Sequence, residues 1–227
     1  MSHIILFDID GTLVLTGGAG GRAMRRAFHE VFEIDHAFDG IPMPGRTDLS
    51  ILNEALTRAK LGNENGRTAQ FCERYFHHLA QGLHEPHPGK QIMPGVRDLL
   101  DALYQRHDVF LALLTGNFAR SARLKLEYFD LWRYFRCGAF AEDAEDRNQL
   151  LPIALERAAA HGARAPVPER VLVVGDTPLD VACAAASGAR AIAVATGPAD
   201  AATLRACGAD EVFEDLSDTD AFLQLLG

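Results

Sequence analysis

The feature that most constrains the fold is an apolar run at residues 4–7 that leads directly into two aspartates, Asp8 and Asp10. Side chains of a strand alternate between two faces, so these aspartates share one face if the strand continues through them. Gly11 and Thr12 then turn the chain. Two neighbouring carboxylates repel each other unless a cation or a shared proton neutralises them, which indicates a chemical site. An acidic turn at a strand end is the alternative interpretation of an isolated Asp-x-Asp pair.

A second apolar run, residues 171–174, also ends in acidic residues. Gly175 and Asp176 follow it, and Pro178 suits the first turn of a helix. That helix places Asp180 one turn beyond Asp176. Four carboxylates are therefore expected at two strand ends.

A third apolar run, residues 109–114, is followed by Thr115, Gly116 and Asn117. A hydroxyl and free backbone amides just past a strand are suited to hold anionic oxygens. In a parallel sheet, all strand ends of one kind lie at the same edge. The three polar clusters are therefore expected to converge in the crevice where open α/β sheets bind ligands.

These motifs together resemble the haloacid dehalogenase superfamily of phosphohydrolases, and most of all its phosphoglycolate phosphatase type, which carries a helical cap. The resemblance runs over the whole chain, and each motif follows an apolar strand in the order that the family has. The residues that carry it are Asp8, Asp10, Gly11 and Thr12, then Thr115, Gly116 and Asn117, then Gly175, Asp176 and Asp180.

The resemblance implies a magnesium-dependent phosphomonoester hydrolase that forms an aspartyl-phosphate. Asp8 would be the nucleophile, and Asp10 would protonate the leaving oxygen and later deprotonate the attacking water. Asp8, Asp176 and the main-chain carbonyl of Asp10 would hold Mg²⁺, with Asp180 as a further ligand or a partner of the ligands. The groups implied to bind phosphoryl oxygens are Thr115, Gly116 and Asn117.

One departure from the family concerns a lysine that relatives carry some way before the Gly-Asp motif. The lysines of this chain are Lys60, Lys90 and Lys125. Lys125 comes too early in the chain, and its replacement is expected to do little. Arg147 stands at the entrance of the next predicted helix and is expected to replace the lysine, because arginine keeps the charge and adds a planar guanidinium. A surface arginine that balances Glu145 and Asp146 is the alternative.

The domain organisation follows from the spacing of apolar residues. Helical spacing over residues 18–34, 52–59 and 71–79 predicts three helices before the strand at residue 109, with no strand among them. From Pro94 onward helices and strands alternate, which implies a parallel sheet with crossover helices. The fold class expected is α/β, with a Rossmann-like core of residues 1–15 and 92–227 and an inserted α-helical cap domain of residues 16–91.

Other candidate sites are less well supported. Arg46 precedes a predicted cap helix that Thr47 or Asp48 can cap, so its side chain is a candidate substrate ligand, with a plain helical turn as the alternative. Residues 18–23 fit a dinucleotide-binding pattern, but the first strand ends well before them, which favours a hinge. A metal site at His77, His78, His84 and His87 is less expected than surface and linker histidines.

Related activities are separated by single residues. A dehalogenase of the same fold lacks the second aspartate, which this chain has as Asp10. Related sugar phosphomutases carry a hinge histidine where this chain has Gly20. Phosphonate cleavage needs a cap lysine, and neither Lys60 nor Lys90 lies in a recognisable setting for that role. Hydrolysis is therefore expected. A phosphomutase or phosphonate-cleaving enzyme, and a non-enzymatic receiver-like module that senses phosphate, are the alternatives. Phosphoglycolate, sugar phosphates and nucleotides are all compatible substrates.

Charge and hydropathy limit the partners. The formal charge of -9 and the pI near 5.4 disfavour nucleic acid and anionic membranes, which need concentrated positive charge. The chain has no apolar run long enough to span a membrane, and Met1, Ser2 and His3 do not resemble the start of a signal peptide. A cytoplasmic protein with a small phosphorylated metabolite as partner is expected. The cysteines, Cys72, Cys137, Cys183 and Cys207, are scattered and are expected to be thiols.

Overall fold

The computed structural model describes residues 3–62, 66–164 and 167–227. Residues 1 and 2 of the predicted core, and residues 63–65 of the predicted cap, lie outside the described residues, as do residues 165 and 166. No helix in the described ranges is long and apolar enough to cross a membrane.

A parallel sheet forms the centre of the molecule. The strands of the described chain are β1 (His3–Phe7), β2 (Val14–Thr16), β3 (Lys90–Ile92), β4 (Val109–Leu114), β5 (Gly138–Ala139), β6 (Val171–Gly175), β7 (Arg190–Val194) and β8 (Glu211–Phe213). Six of them pair in the order β5-β4-β1-β6-β7-β8, and all five pairings are parallel. In the centre, Ile5 pairs with Leu111 on one side and with Leu172 on the other. The predicted α/β fold with a Rossmann-like parallel sheet is confirmed.

Helices cover both faces of this sheet. The helices of the described chain are α1 (Ala19–Phe32), α2 (Asp48–Arg58), α3 (Arg67–His84), α4 (Val96–Tyr104), α5 (Ala119–Tyr128), α6 (Leu150–Ala160), α7 (Pro178–Ala186), α8 (Ala201–Ala206) and α9 (Thr219–Gln224). Ile5 and Phe7 pack with α4, α5 and α9, whereas Ile4 and Leu6 face α6, α7 and α8. Burial on both faces explains why the strands are continuously apolar in sequence.

Helices α1, α2 and α3 lie between β2 and β3 in the chain and share an apolar cluster of their own, which includes Phe28, Phe71 and Tyr75. Phe118 and Ala141, from the sheet-bearing part of the chain, join that cluster. We call α1, α2, α3 and their connections the helical insertion. Its description as a cap domain with bounds at residues 16 and 91 stays a prediction.

Strands β2 and β3 pair antiparallel at the two ends of the helical insertion, with Val14 opposite Ile92 and Thr16 opposite Lys90. The expectation of helices alone between the first strand and residue 109 was therefore wrong. A strand of three residues is too short to show the alternation by which strands are recognised in a sequence.

Candidate active site

The carboxyl ends of β1, β4, β6 and β7 open into one cavity of about 410 Å³. The strand order places these ends side by side, at the edge where open α/β sheets bind ligands. The helical insertion supplies the opposite wall. Residues from all three sequence motifs line the cavity, namely Asp8, Asp10, Gly11, Gly116, Asn117 and Asp176. The structure thus brings the three motifs together.

Three carboxylates form an acidic cluster at the base of the cavity. Side-chain oxygens of Asp8, Asp176 and Asp180 all lie within 4.8 Å of one another, and all three residues are buried. Burial raises the pKa of Asp8 to about 6, against the opposing charge of Arg147. Burial and the neighbouring Asp8 and Asp180 charges raise the pKa of Asp176 to about 8. Full ionisation of this cluster therefore requires additional positive charge.

The surroundings of Asp176 suit a hard cation. The Thr12 hydroxyl donates to Asp176 Oδ1 at 3.0 Å, which fixes the orientation of the carboxylate. A Cβ at Gly197 would lie 1.7 Å from Asp176 Oδ2, and a Cβ at Gly11 would lie 2.4 Å from the same atom. Two glycines thus make the space that this carboxylate fills. Oxygen donors of this kind are the ligands that Mg²⁺ prefers, so the residues present fit that ion.

Asp180 has a different role from the other two carboxylates. Its Oδ2 accepts hydrogen bonds from the Thr177 amide at 3.0 Å and the Thr177 hydroxyl at 2.6 Å, which closes a capping box at the start of α7. Its Oδ1 is bound by Arg147. Both oxygens are therefore engaged within the chain, which favours Asp180 as a partner of the ligands over a direct ligand.

Arg147 lies beside the expected nucleophile. Its Nη2 is 3.0 Å from Asp8 Oδ1 and also binds Asp180, while Nη1 donates to the main-chain oxygen of Gly45 at 2.9 Å. Burial alone would lower the pKa of the guanidinium, but Asp180 and Asp8 raise it above its usual range. The residue is only 6% exposed, so the interpretation as a surface arginine was wrong. The structure thus places Arg147 beside Asp8, and its role in place of the family's lysine stays a prediction.

Lys125 also lies in the site, and its contacts speak against the expectation that its replacement does little. Its Nζ is 2.6 Å from Asp10 Oδ2 and 2.5 Å from Asn117 Oδ1. Helix α5 starts directly after the Asn117 turn and brings Lys125 back against it. A sequence signal was available, because Ser121 and Lys125 are polar residues one helical turn apart beside apolar Ala122 and Leu126.

The turn after β4 orients the second aspartate. Asn117 Nδ2 donates to Asp10 Oδ2 at 2.8 Å and to the Thr115 hydroxyl at 2.9 Å. Thr115 is fully buried behind this amide and does not line the cavity, whereas Gly116 and Asn117 do. Thr115 was expected to bind phosphoryl oxygens, but its hydroxyl contacts the Asn117 amide and does not face the cavity.

Gly116 is where the helical insertion touches the sheet. A Cβ at this position would lie 2.2 Å from the Arg46 main-chain oxygen, and the Gly116 oxygen accepts from the Asp48 amide at 2.6 Å. The Thr47 hydroxyl accepts from the Ser50 amide at 3.1 Å, which confirms the predicted helix cap. The same hydroxyl donates to the Glu145 main-chain oxygen at 2.9 Å. Only glycine at position 116 permits the Arg46 main-chain oxygen to come this close.

Arg46 lines the cavity, but its guanidinium does not reach outward as the sequence suggested. Nη1 is 2.5 Å from Glu54 Oε2, and Nη2 donates to the Ser50 main-chain oxygen at 3.3 Å. A substrate phosphate bound by this side chain would share the guanidinium with Glu54, as Asp8 and Asp180 share Arg147. The assignment of Arg46 as a substrate ligand stays a prediction.

The glycine-rich segment lies at the start of α1. Contrary to expectation, strand β2 ends at Thr16, just before it, but β2 pairs antiparallel with β3 outside the parallel sheet. A dinucleotide fingerprint needs a βαβ unit of that sheet, so the hinge interpretation is the better one. Gly20 and Gly21 line the cavity. Among the described side chains, the candidate metal cluster contains the three aspartates and none of the histidines.

We expect the metal-free protein to lose stability as the pH rises from about 4 to about 8. The folded-state pKa values of Asp8 and Asp176 are raised from their ordinary value of 3.8. Over this range these two carboxyl groups hold more protons in the folded protein than in the unfolded chain, so their contribution to the free energy of unfolding falls as the protons are removed. Denaturation in EDTA at both ends of the range measures the effect.

Mg²⁺ should restore more of that stability at the alkaline end than at the acidic end, since the ion binds the ionised cluster. Asp176→Asn should reduce both the pH-dependent loss and the gain from Mg²⁺. A metal-free protein that becomes more stable over the same range would contradict the acidic cluster as described.

Comparisons with known proteins agree with this site. The haloacid dehalogenase-like hydrolase family matches residues 3–188. A phosphoglycolate phosphatase from Chromobacterium violaceum is 29% identical over 234 residues, which cover 96% of each chain. A hydrolase from Pseudomonas syringae has a TM-score of 0.70 at 20% identity, over 99% of this chain and 98% of that one. A β-phosphoglucomutase from Clostridium difficile has a TM-score of 0.74 at 15% identity, over 99% and 97%.

The two solved structures show the shared fold, and the family match spans β1, β4, β5 and β6 of the sheet, the helical insertion and the acidic cluster. The chain therefore belongs to the haloacid dehalogenase-like hydrolase family, and it is a phosphatase-like enzyme of that family.

Proposed function

We propose that this enzyme hydrolyses small phosphomonoesters with Mg²⁺ and a phosphorylated Asp8 as the intermediate. The observation that carries the proposal is a pair of aspartates that share one cavity and are held by different cations. Arg147 binds Asp8, and Lys125 binds Asp10. The two carboxylates are thereby set up for different tasks, as nucleophilic displacement at phosphorus requires.

Asp8 is suited to attack the phosphorus atom. Arg147 contacts its Oδ1, which leaves Oδ2 to form the new bond to phosphorus as the bond to the ester oxygen breaks. The carboxylate is 5% exposed at the base of the cavity, so few waters compete with the ester there. Because a phosphate ester and a carboxylate repel each other, nearby positive charge must offset their charges.

Asp10 is suited to handle the proton. Lys125 and Asn117 both bind its Oδ2, which leaves Oδ1 to protonate the leaving oxygen. After the alcohol departs, the same oxygen takes a proton from the water that hydrolyses the aspartyl-phosphate. The two donors hold Asp10 in place through both steps.

Mg²⁺ would be held by Asp8, Asp176 and the main-chain oxygen of Asp10, with Asp180 orienting Arg147 beside them. When bound, the ion offsets the negative charge of the carboxylates and of the phosphate. We propose Mg²⁺ as the cofactor, a small phosphorylated metabolite as the partner and the cytoplasm as the location. All three are consistent with the hydrolase family to which the chain belongs.

Other activities of the same fold have less support. Phosphonate cleavage needs a lysine from the cap, but Lys90 Nζ binds the main-chain oxygen of Glu85 at 2.5 Å and does not line the cavity. Gly20 stands where related sugar phosphomutases carry a histidine. A phosphate-sensing module has no need of a second aspartate held by two donors, as Asp10 is.

Release of phosphate from para-nitrophenyl phosphate tests the proposed function. We expect release in Mg²⁺, its loss in EDTA and its return when excess Mg²⁺ is added, because the carboxylates otherwise repel the substrate. A control in which the protein is kept folded in EDTA at mildly acidic pH separates loss of chemistry from loss of structure. Turnover that is indifferent to chelation would contradict the proposal.

A further inference from the structure

Asp48 is a buried carboxylate of the helical insertion that none of the proposed steps uses. It is the first residue of α2, it is 8% exposed, and it lines the cavity. Burial raises the pKa of Asp48 to about 6, against the opposing charge of Lys125, so the group is ionised in mildly alkaline solution. A buried charge is unfavourable unless hydrogen bonds or an opposite charge offset it. The partners of Asp48 therefore indicate its role.

Asp48 connects the helical insertion to the turn that follows β4. Its Oδ2 accepts a hydrogen bond from the Phe118 amide at 3.0 Å and lies 3.3 Å from the Ser121 hydroxyl oxygen. Its own amide donates to the Gly116 main-chain oxygen at 2.6 Å. The two main-chain bonds lie on either side of Asn117, so Asp48 fixes the chain just before and just after that residue.

The helical insertion also encloses this turn. The Tyr75 hydroxyl of α3 lies 3.4 Å from Asp48 Oδ2, and the Tyr75 ring packs edge-on against Phe118 with the ring centroids 6.4 Å apart. Phe76 packs edge-on against the same ring at 6.0 Å. Phe118 is buried by these contacts. A buried aromatic side chain next to Asn117 leaves the turn little freedom to move away from Asp48.

The same turn and helix α5 supply both donors to Asp10. Asn117 Nδ2 lies 2.8 Å and Lys125 Nζ lies 2.6 Å from Asp10 Oδ2. Lys125 Nζ also lies 2.5 Å from Asn117 Oδ1, so the two donors hold each other. Ser121, which contacts Asp48, is one helical turn before Lys125 in α5. Each donor is therefore attached to a segment that Asp48 contacts.

We propose that Asp48 is a positioning residue for acid–base catalysis by Asp10, and that it acts from the helical insertion through Asn117 and Lys125. The inference rests on the proposed phosphomonoesterase function. It gives a residue that need not touch the substrate a role in proton transfer at the leaving oxygen. Loss of Asp48 should therefore lower kcat/KM most for esters that depend on that proton transfer.

Other contacts of the same loop allow a selective effect to be recognised. The Gly45 main-chain oxygen accepts from Arg147 Nη1 at 2.9 Å, and the Thr47 hydroxyl donates to the Glu145 main-chain oxygen at 2.9 Å. A general loosening of this loop would disturb Arg147 and would slow every ester. Displacement of Asp10 alone would instead slow esters whose leaving oxygen needs a proton more than esters whose leaving oxygen does not.

The test compares kcat/KM for n-butyl phosphate and para-nitrophenyl phosphate in Mg²⁺. Asp48→Ala should lower the value for the butyl ester at least ~10-fold, a part of the roughly 10²–10⁴-fold that a positioned acid supplies, and lower the value for the nitrophenyl ester by no more than ~3-fold. Asp48→Asn keeps an acceptor for the Phe118 amide and should recover most of the loss. Thr47→Val, at the neighbouring position of the same loop, is the matched control and should change both values by the same factor.

A double-mutant cycle shows which residue Asp48 acts through. In the Lys125→Met enzyme, Asp48→Ala should lower kcat/KM for the butyl ester by less than ~3-fold, because the effects of two residues that act through the same contact are not additive. Losses that multiply in full in the double variant would show that Asp48 acts independently of Lys125, and would overturn the inference.

Failure of the inference is distinguishable from failure of the proposed function. If the enzyme hydrolyses no ester, the proposed function is overturned, and the side-chain amide signals of Asn117 in ¹⁵N NMR then decide the role of Asp48. The amide protons should exchange with solvent faster in Asp48→Ala than in the unaltered protein or in Thr47→Val. Unchanged exchange, or equal slowing of both esters by Asp48→Ala, would overturn the inference.

Discussion

Asp8→Asn is expected to abolish phosphate release while leaving the folded state at least as stable in mildly alkaline solution. Asparagine cannot form the acyl-phosphate bond at the position that Arg147 fixes. Burial raises the pKa of Asp8 to about 6, so its ionised form opposes folding above that pH, and a neutral amide of the same shape removes that cost. Steady-state assays and denaturation curves measure the two effects.

Asp35→Asn provides the matched control, because Asp35 has a side chain that is 72% exposed and lies outside the active-site cavity. It should retain full activity. More than a few per cent of residual turnover in Asp8→Asn, beyond what deamidation supplies, would remove Asp8 from the role of nucleophile.

Arg147→Ala is expected to lower kcat/KM by ~100-fold or more, the scale of removing one preorganised donor from a transition state. The variant should also lose roughly 3–5 kcal/mol of stability, since Asp8 and Asp180 are left without their buried partner. Arg147→Lys keeps the charge but loses the planar guanidinium that spans both aspartates, so it should recover stability and part of the rate. Assays well below the melting temperature separate the two losses.

Lys125→Met provides a contrast on the other side of the site. Because Lys125 holds the proton-transferring Asp10, its loss should slow alkyl phosphates more than para-nitrophenyl phosphate, whose leaving oxygen needs little protonation. Arg147→Ala should slow both esters to a similar degree. An Arg147→Ala enzyme with full activity, or a Lys125→Met enzyme with no dependence on the leaving group, would contradict the division of roles between the two cations.

The core of the site was predictable because its residues follow long apolar strands. Asp8, Asn117 and Asp176 each come shortly after a short, continuously apolar run that is typical of a buried strand, and parallel pairing then fixes which ends meet. That inference needs only the apolar runs, their order and the polar residues that follow them. It succeeded because both faces of the sheet are covered by helices.

For Lys125 and Arg46 the sequence pattern does not determine which group the side chain contacts. Lys125 reaches Asp10 because helix α5 folds back from the turn that it follows, and distance along the chain does not register that reversal. Arg46 has its direction set by Glu54, two turns along α2, in competition with the cavity. In both cases the tertiary structure determines which of several possible partners the side chain contacts.

The antiparallel pairing of β2 and β3 fixes the distance between the two ends of the helical insertion, where the chain leaves the sheet-bearing part of the molecule and returns to it. Thr16 and Lys90 stay opposite each other whatever number of residues connects them. The cost of closing so long a loop grows only slowly with its length. A change in the number of residues between these strands would therefore leave the distance between the two ends of the segment unchanged, and with it the register of β1 in the sheet.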